Sequence, residues 1–146
     1  MGLDIVYLQW YEPERQQFDP QLFHWTPRGI ARKTNTSEVT LHSVPIVRDV
    51  LENRQPFYCA DSRSIADAET KALLLQNNVT AFLIMPICNQ EKVYGLFSMA
   101  MQTGPRRWEE ERLDALMAIM GAIAQWKEGR AIAQQLDESQ ALNYQL

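Results

Sequence analysis

The stretch VTAFLIMPICNQEKVYGLFSMAM, residues 79–101, decides the fold of this chain. Residues 79–87 are almost wholly apolar, and an apolar run of this length is typical of a strand that is buried on both faces. The polar residues 88–92 predict a hairpin turn, so we expect residues 93–101 to return as an antiparallel strand. Gly95 inside the returning strand indicates a bulge or the close approach of another element. Four residues of these strands should lie in the core: Phe82, Ile84, Leu96 and Phe97.

Outside this hairpin, shorter patterns predict the other elements. Two apolar and aromatic runs, at residues 5–10 and 18–25, predict an antiparallel β-hairpin at the start of the chain. Residues 32–42 are polar and aperiodic, which is typical of a surface loop. Ser64, with Asp67 three residues later, resembles a capping box and predicts a helix start. The complete prediction is strands near residues 4–10, 18–25, 56–60, 79–87 and 92–101, and helices near residues 44–53, 64–77 and 105–140.

The composition of the 146 residues, with 46% hydrophobic and 22% charged residues, is that of one soluble globular domain. The net charge of -4 provides no strong field for nucleic acid or for an anionic membrane, so we expect no nucleic-acid partner. No apolar run reaches the roughly 18 residues that a membrane span requires, and the first residues lack the order of a secretory signal. We therefore expect a cytoplasmic protein without membrane insertion, in which Cys59 and Cys88 act as small apolar residues.

Five pieces of sequence follow one another in an order that a known family shares. They are VLENRQP at residues 50–56, Asp61, NVTAFLIMPI at 78–87, KVYGLF at 92–97 and PRRW at 105–108, before an acidic helix start. In this order and spacing the chain resembles the GAF domains, small sensory modules of signalling proteins. The resemblance implies an α+β fold that is GAF-like and PAS-related. It has a central antiparallel sheet of five to six strands, helices on both faces and a long C-terminal helix.

The resemblance also implies a domain organisation. Residues 1–128 form the GAF domain, and residues 129–146 are a C-terminal extension of its signalling helix. GAF domains commonly begin with a helix, whereas only four residues precede Ile5 here, so we expect that this N-terminal helix is missing because the chain is a piece of a longer protein.

The function that the resemblance implies is regulatory. We expect a ligand-sensing domain of a larger signal-transduction protein, whose effector in the same full-length protein is a histidine kinase of a two-component system, a cyclase or phosphodiesterase, or a transcription regulator. The alternative is a GAF-like module that binds no ligand and serves dimerisation or protein interaction. The sequence has no catalytic triad pattern, no metal-ligand spacing and no glycine-rich phosphate loop, so we expect no enzyme and no metal site.

The ligand itself is unknown from the sequence. In the bilin-binding branch of the family a cysteine and a histidine precede the buried strand by about a dozen residues, and here Glu69-Thr70 stands in their place. Without a thiol at this position the usual thioether bond cannot form, which argues against a covalent bilin. The motif of the cyclic-nucleotide-binding branch is also absent, which weakens a cyclic nucleotide as the ligand without excluding it.

In this family the ligand sits on the sheet face opposite the terminal helices, beneath the middle loops. A basic cluster of Arg28, Arg32 and Lys33 near these loops is either a solvated loop or a contact for an anionic ligand. By position and polarity, the predicted ligand-binding residues are Trp25, Arg28, His42, Tyr58 and Asp61.

The C-terminal helix carries a second, narrow apolar stripe that its own domain does not need. This stripe predicts a homodimer with roughly parallel helices, in which helix rotation or splay is the output. The alternative is a monomer with a frayed tail, which polar residues such as Gln134 and Gln140 support. The predicted dimer interface consists of Ile119, Ala122, Trp126, Ala133 and Leu136.

Overall fold

A computed structural model describes residues 5–26, 29–34 and 45–144. Among these residues no helix is both long enough and apolar enough to cross a membrane. The strands are β1 (Ile5–Glu12), β2 (Gln17–Phe18), β3 (Gln21–Thr26), β4 (Gly29–Thr34), β5 (Phe57–Cys59), β6 (Ala81–Cys88) and β7 (Val93–Met101); the helices are α1 (Pro45–Asn53), α2 (Ala68–Gln76) and α3 (Glu110–Tyr144), and a short 3-10 turn spans Ser62–Ser64.

The strands form one antiparallel sheet with the order β4-β3-β1-β7-β6-β5, and β2 pairs with the end of β1. The predicted hairpin of β6 and β7 is confirmed, with a register that pairs Ala81 with Met101 and Ile87 with Gly95. The predicted fold class is also confirmed, since helices cover both faces of this sheet and the C-terminal helix is 35 residues long.

Strand β6 contributes to two cores because its side chains alternate between the faces of the sheet. Phe82 and Ile84 point to the face of α1 and α2, where they pack with Val47, Val50 and Leu74. Leu83, Met85 and Ile87 point to the opposite face and pack against α3 through Leu113, Met120 and Ala124. The prediction of a strand buried on both faces is therefore confirmed, and Leu96 and Phe97 of β7 divide between the two cores in the same way.

Pro86 is fully buried in β6, although proline cannot donate a hydrogen bond to a neighbouring strand. Its partner across the ladder to β7 is Leu96, and on the other side β5 pairs with β6 only as far as Ile84. Pro86 therefore lies beyond the end of β5 and has no strand partner on that side among the described residues.

The N-terminal part of the sheet differs from the prediction in two places. Residues 29–34 form strand β4, whereas residues 32–42 were expected to be a loop; the rest of that loop lies outside the described residues. A polar strand is tolerated here because β4 is the edge of the sheet, where charged residues are common. The single strand predicted for residues 18–25 is split into β2 and β3 at Pro20, and the Asp19 carboxylate accepts a hydrogen bond from the Gln21 backbone.

Two helices begin later than predicted. Helix α2 begins at Ala68 rather than residue 64, because Asp67 is its N-cap and accepts the backbone hydrogen bond of Thr70. Helix α3 begins at Glu110 rather than residue 105. The backbone N–H of Arg106 donates to Ala60 O, which holds the preceding segment against the end of β5. Trp108 in this segment packs on the α3 core, and its indole N–H donates to Cys59 O.

Gly95 is the point of closest approach between β7 and β1. A Cβ atom at this position would lie 2.8 Å from the Gln9 backbone oxygen and 3.2 Å from Cε3 of Trp10. The predicted close approach is therefore confirmed, and there is no room for a side chain.

We predict that Gly95→Ala lowers the free energy of unfolding by about 1–3 kcal/mol, because a strand backbone must move to relieve the contact. The matched control is Gly121→Ala in α3, where an added Cβ meets nothing within 4 Å. This control should leave the stability unchanged or raise it by up to about 1 kcal/mol, since alanine favours a helix. Urea unfolding of both variants measures the difference, and equal midpoints would contradict the close packing at Gly95.

Candidate functional site

Strand β1 separates an apolar face of the sheet from a more polar one. Val6, Leu8 and Trp10 share a face with Met99, Phe97 and Ile87, through the register of β1 with β7 and of β7 with β6. This is the face that α3 covers. The alternate residues Tyr7, Gln9 and Tyr11 therefore point to the face of α1 and α2.

The polar patch, defined as Tyr7, Gln9, His24 and Ser98, lies on this second face. Tyr7 pairs with His24 on β3 and with Ser98 on β7, so the three side chains form a row across the sheet. The rings of Tyr7 and His24 stack, with centroids 5.2 Å apart and an angle of 23° between their planes. Burial raises the pKa of Tyr7 above its ordinary value of 10.0, so its hydroxyl is neutral at physiological pH.

Gln9 is the most deeply buried member of the polar patch, with 3% of its surface exposed. Its side-chain N–H donates to Asp19 O at 2.6 Å, whereas its Oε1 atom has no hydrogen-bond partner among the residues that the structure describes. A buried acceptor without a partner costs about 1–3 kcal/mol. A donor from outside the described residues, such as a ligand, would satisfy this atom.

The structure does not bring the predicted ligand-binding residues together on this face. Trp25 pairs with Val6, and Tyr58 pairs with Leu83, so both point to the face of α3 instead. Tyr58 is 48% exposed at the edge of the sheet. The two strands that carry them, β3 and β5, are four strand spacings apart, or about 19 Å. The prediction used position in the chain and polarity, whereas the face of each residue depends on the alternation within its strand.

Arg28 and His42, two further predicted ligand-binding residues, lie outside the described residues. Arg32 and Lys33 of the predicted basic cluster lie in β4, and the pairing of Arg32 with Phe23 and of Lys33 with Leu22 puts them at positions on opposite faces of the sheet. A contiguous loop cluster of the predicted kind is therefore not formed by these two positions.

Asp61, the fifth predicted residue, follows β5 and has a structural partner for its carboxylate. The carboxylate caps the 3-10 turn by accepting the backbone N–H of Arg63, and it forms an ion pair of 2.7 Å with the Arg63 guanidinium. These hydrogen bonds to Arg63 lower the pKa of Asp61 from 3.8 to about 2. The negative charge of this carboxylate is therefore already balanced by Arg63 within the turn.

The residues of this patch that sequence reasoning missed include Tyr7, Gln9 and His24. One signal for them is present in the sequence. Residues 6–11 alternate between apolar and polar side chains, and this alternation by itself assigns Tyr7 and Gln9 to one face of a strand. What the sequence does not show is that His24 stacks on Tyr7, because that contact depends on strand register.

The position that carries the pigment cysteine in bilin-binding GAF domains is occupied here by ordinary helix residues. Glu69 is exposed in the first turn of α2, and the buried Thr70 donates its hydroxyl to Asp67. The thiol of Cys59 donates to Asp61 O at 3.0 Å, close to the capped turn. The described residues also contain no group of three histidine, cysteine or acidic side chains that could hold a metal ion.

A small cleft lies on the α3 face, at the start of that helix. It is a cleft of about 70 Å³, well below the several hundred Å³ that a small-molecule site requires. Arg112 at its rim is paired with Glu109, and the Arg106 guanidinium lies 5.1 Å from the centre of the Trp108 ring. These two cations thus already have partners, and the volume of the cleft is too small for a typical small molecule.

The predicted stripe of α3 is exposed along its whole length. Trp126 is 54% exposed and Leu136 is 59% exposed, and the other three members, Ile119, Ala122 and Ala133, are exposed as well. Residues 129–142 are exposed on all sides and extend the helix by about 21 Å. An apolar stripe of this length in water is unfavourable unless another surface covers it.

Comparisons with known proteins agree with the fold. The family model of the GAF domain matches residues 1–125. The PixJ GAF domain of Thermosynechococcus elongatus, in its blue-light-absorbing form, has 17% identity and a TM-score of 0.62, over 93% of this chain and 80% of that one. A red/green cyanobacteriochrome in its green-light-absorbing state has 17% identity and a TM-score of 0.66, over 90% and 86%.

A third similar structure is a domain of a protein described as a two-component sensor histidine kinase, from Sinorhizobium meliloti 1021. It has 10% identity and a TM-score of 0.57, over 92% of this chain and 84% of that one. No curated protein matches the chain significantly. At these low identities the solved structures establish the fold alone.

The Asp61–Arg63 pair generates a prediction for the pH dependence of this turn. Because the folded pKa of Asp61 is lowered, the pair stabilises the protein above about pH 3.8, and this contribution is lost as the pH falls towards 2. In Arg63→Ala we expect the pKa of Asp61 to rise towards 3.8, as measured by an NMR titration of the carboxyl carbon. Asp67 is the internal control, because its pKa is lowered by Thr70 and should not change. An Asp61 pKa that stays near 2 in the variant would show that Arg63 is not the cause.

Proposed function

We propose, since this chain belongs to the GAF domain family, that it is the ligand-sensing regulatory domain of a larger signal-transduction protein. The effector in that protein is a histidine kinase of a two-component system, a cyclase or phosphodiesterase, or a transcription regulator. The similarity to a domain of a sensor histidine kinase protein supports the first of these. The domain acts by binding rather than by catalysis, and we place it in the cytoplasm, where its two free cysteines stay reduced.

The observation that carries this proposal is the buried, unpartnered Oε1 atom of Gln9. It lies on the same face as the stacked rings of Tyr7 and His24, so one ligand could receive both a hydrogen-bond acceptor and a flat aromatic surface. We infer a small molecule with an N–H or O–H donor and a planar portion. The ligand is held without a covalent bond, since Glu69 and Thr70 replace the pigment-binding pair of the bilin branch.

We predict that native mass spectrometry of the purified protein reveals a bound small molecule. Gln9→Met keeps the length of the side chain and removes the acceptor, so the occupied fraction should fall about tenfold, in line with the loss of one buried hydrogen bond. The matched control is Gln125→Met on the exposed side of α3, which should bind like the wild type. An unliganded wild-type protein would contradict the ligand-sensing function and favour the alternative below.

The alternative is a GAF-like module that binds no ligand and serves dimerisation or protein interaction. The exposed stripe of α3 favours an assembly role, which is compatible with either function. We propose a homodimer through Ile119, Ala122, Trp126, Ala133 and Leu136. In the full-length protein this helix passes the signal to the effector by rotation or splay.

Sedimentation velocity at micromolar concentration tests the homodimer. We predict that the wild type sediments as a dimer and that Trp126→Glu and Leu136→Glu sediment as monomers, because a buried, unpaired carboxylate is strongly unfavourable. The control is Leu75→Glu, a 52% exposed leucine on α2 outside the stripe, which should remain dimeric. A monomeric wild type would refute the dimer.

A further inference from the structure

Trp10 of β1 connects the sheet to the part of α3 from which the helix extends beyond the sheet. The ammonium of Lys127 lies 4.4 Å from the centre of the Trp10 ring. The centres of the Trp10 and Trp126 rings are 6.5 Å apart. The Arg130 guanidinium in turn lies 5.3 Å from the ring of Trp126. The exposed extension of α3 follows directly after these residues. Trp10 therefore contacts α3 at the last turn that the sheet supports.

The indole of Trp10 cannot move towards the sheet. A Cβ atom added to Gly95 would lie 3.2 Å from Cε3 of Trp10 and 3.2 Å from Cδ1 of Ile87, so the indole is packed directly above the glycine. A displacement of the Trp10 ring would instead act on Lys127 and Trp126, which contact it.

The residue before Trp10 is Gln9, whose side chain lies on the opposite face of the same strand. The two residues also share one tether, because the Gln9 side chain donates to Asp19 O and the backbone N–H of Asp19 donates to Trp10 O. Because both residues are held through Asp19, a movement of the β1 backbone at Gln9 would also act on Trp10.

A second contact holds α3 from another direction. Asn89 donates to the Glu128 carboxylate at 3.1 Å. Lys127 and Glu128 are successive residues, so their side chains point about 100° apart around the helix. The contact at Glu128 ties α3 to the turn between β6 and β7, whereas the contact at Lys127 ties it to β1. A change on one side alone therefore changes the direction in which the helix leaves the sheet.

We propose that Trp10 is a positioning residue that couples the polar patch to the exit of α3. Occupation of the patch moves Gln9, Gln9 moves Trp10, and Trp10 sets the angle of the helical extension through Lys127 and Trp126. The role of a ligand in this device rests on the proposed function, whereas the mechanical coupling between Gln9 and α3 does not.

A double-mutant cycle tests the coupling without a known ligand. Hydrogen exchange of the amides of residues 121–132 is measured by mass spectrometry in the wild type, Gln9→Met, Trp10→Leu and the double variant. We expect Gln9→Met to change these exchange rates about two- to tenfold when Trp10 is present, and to leave them unchanged when position 10 is leucine. Equal effects of Gln9→Met in both backgrounds, or no effect in either, would overturn the proposal.

Two further variants separate coupling from a general loss of stability. Lys127→Met removes the cation above Trp10 without altering the sheet, so it should reduce the effect of Gln9→Met even if Trp10→Leu does not fold. Trp108→Leu also removes a tryptophan that packs on the α3 core, and it should leave the effect of Gln9→Met intact.

Amides of β6 report global opening in every sample, and a change there equal to that in residues 121–132 would also count against the coupling. A protein without any bound small molecule would contradict the proposed function and would not alter the outcome of this cycle.

Discussion

The ladder between β6 and β7 is the interaction on which the rest of the structure depends. It aligns Phe82 and Ile84 with the core under α1 and α2, and Leu83, Met85 and Ile87 with the core under α3. Because side chains alternate strictly along a strand, a slip of one residue would exchange the two cores. The bulge between Ile87 and Cys88 and the proline at position 86 lie near the turn of this hairpin, beyond the point where β5 pairs with β6.

The same alternation of side chains gives β1 one apolar face and one more polar face. The side towards α3 is apolar, and it is closed by packing of Leu8 and Trp10 against the core of that helix. The other side presents Tyr7 and Gln9, which provide hydrogen-bonding groups rather than apolar surface. The polar patch and α3 thus lie on opposite sides of one strand.

Much of the fold could be predicted from the sequence because its signals are local. The apolar run at residues 79–87, the polar turn after it and the glycine at position 95 each depend on near neighbours, and all three predictions agree with the structure. The apolar face and the exposed stripe of α3 follow from helical periodicity alone. The errors occur where local signals compete, as at Asp67 and Ser64, which both resemble helix caps. Edge strand β4 was missed because its polar sequence looks like a loop.

The family and the order of elements were therefore determined by the sequence by itself, through periodicity, turn residues and motif spacing. The candidate site was decided only by the tertiary structure. Trp25 and Tyr58 were predicted from their chemistry. Strand register places both on the α3 face, and their strands are four strand spacings apart. Tyr7, Gln9 and His24 have ordinary positions in the sequence and are brought together by pairing between β1 and β3. The physical reason is that the face on which a strand residue lies depends on its register with neighbours that are distant in the chain.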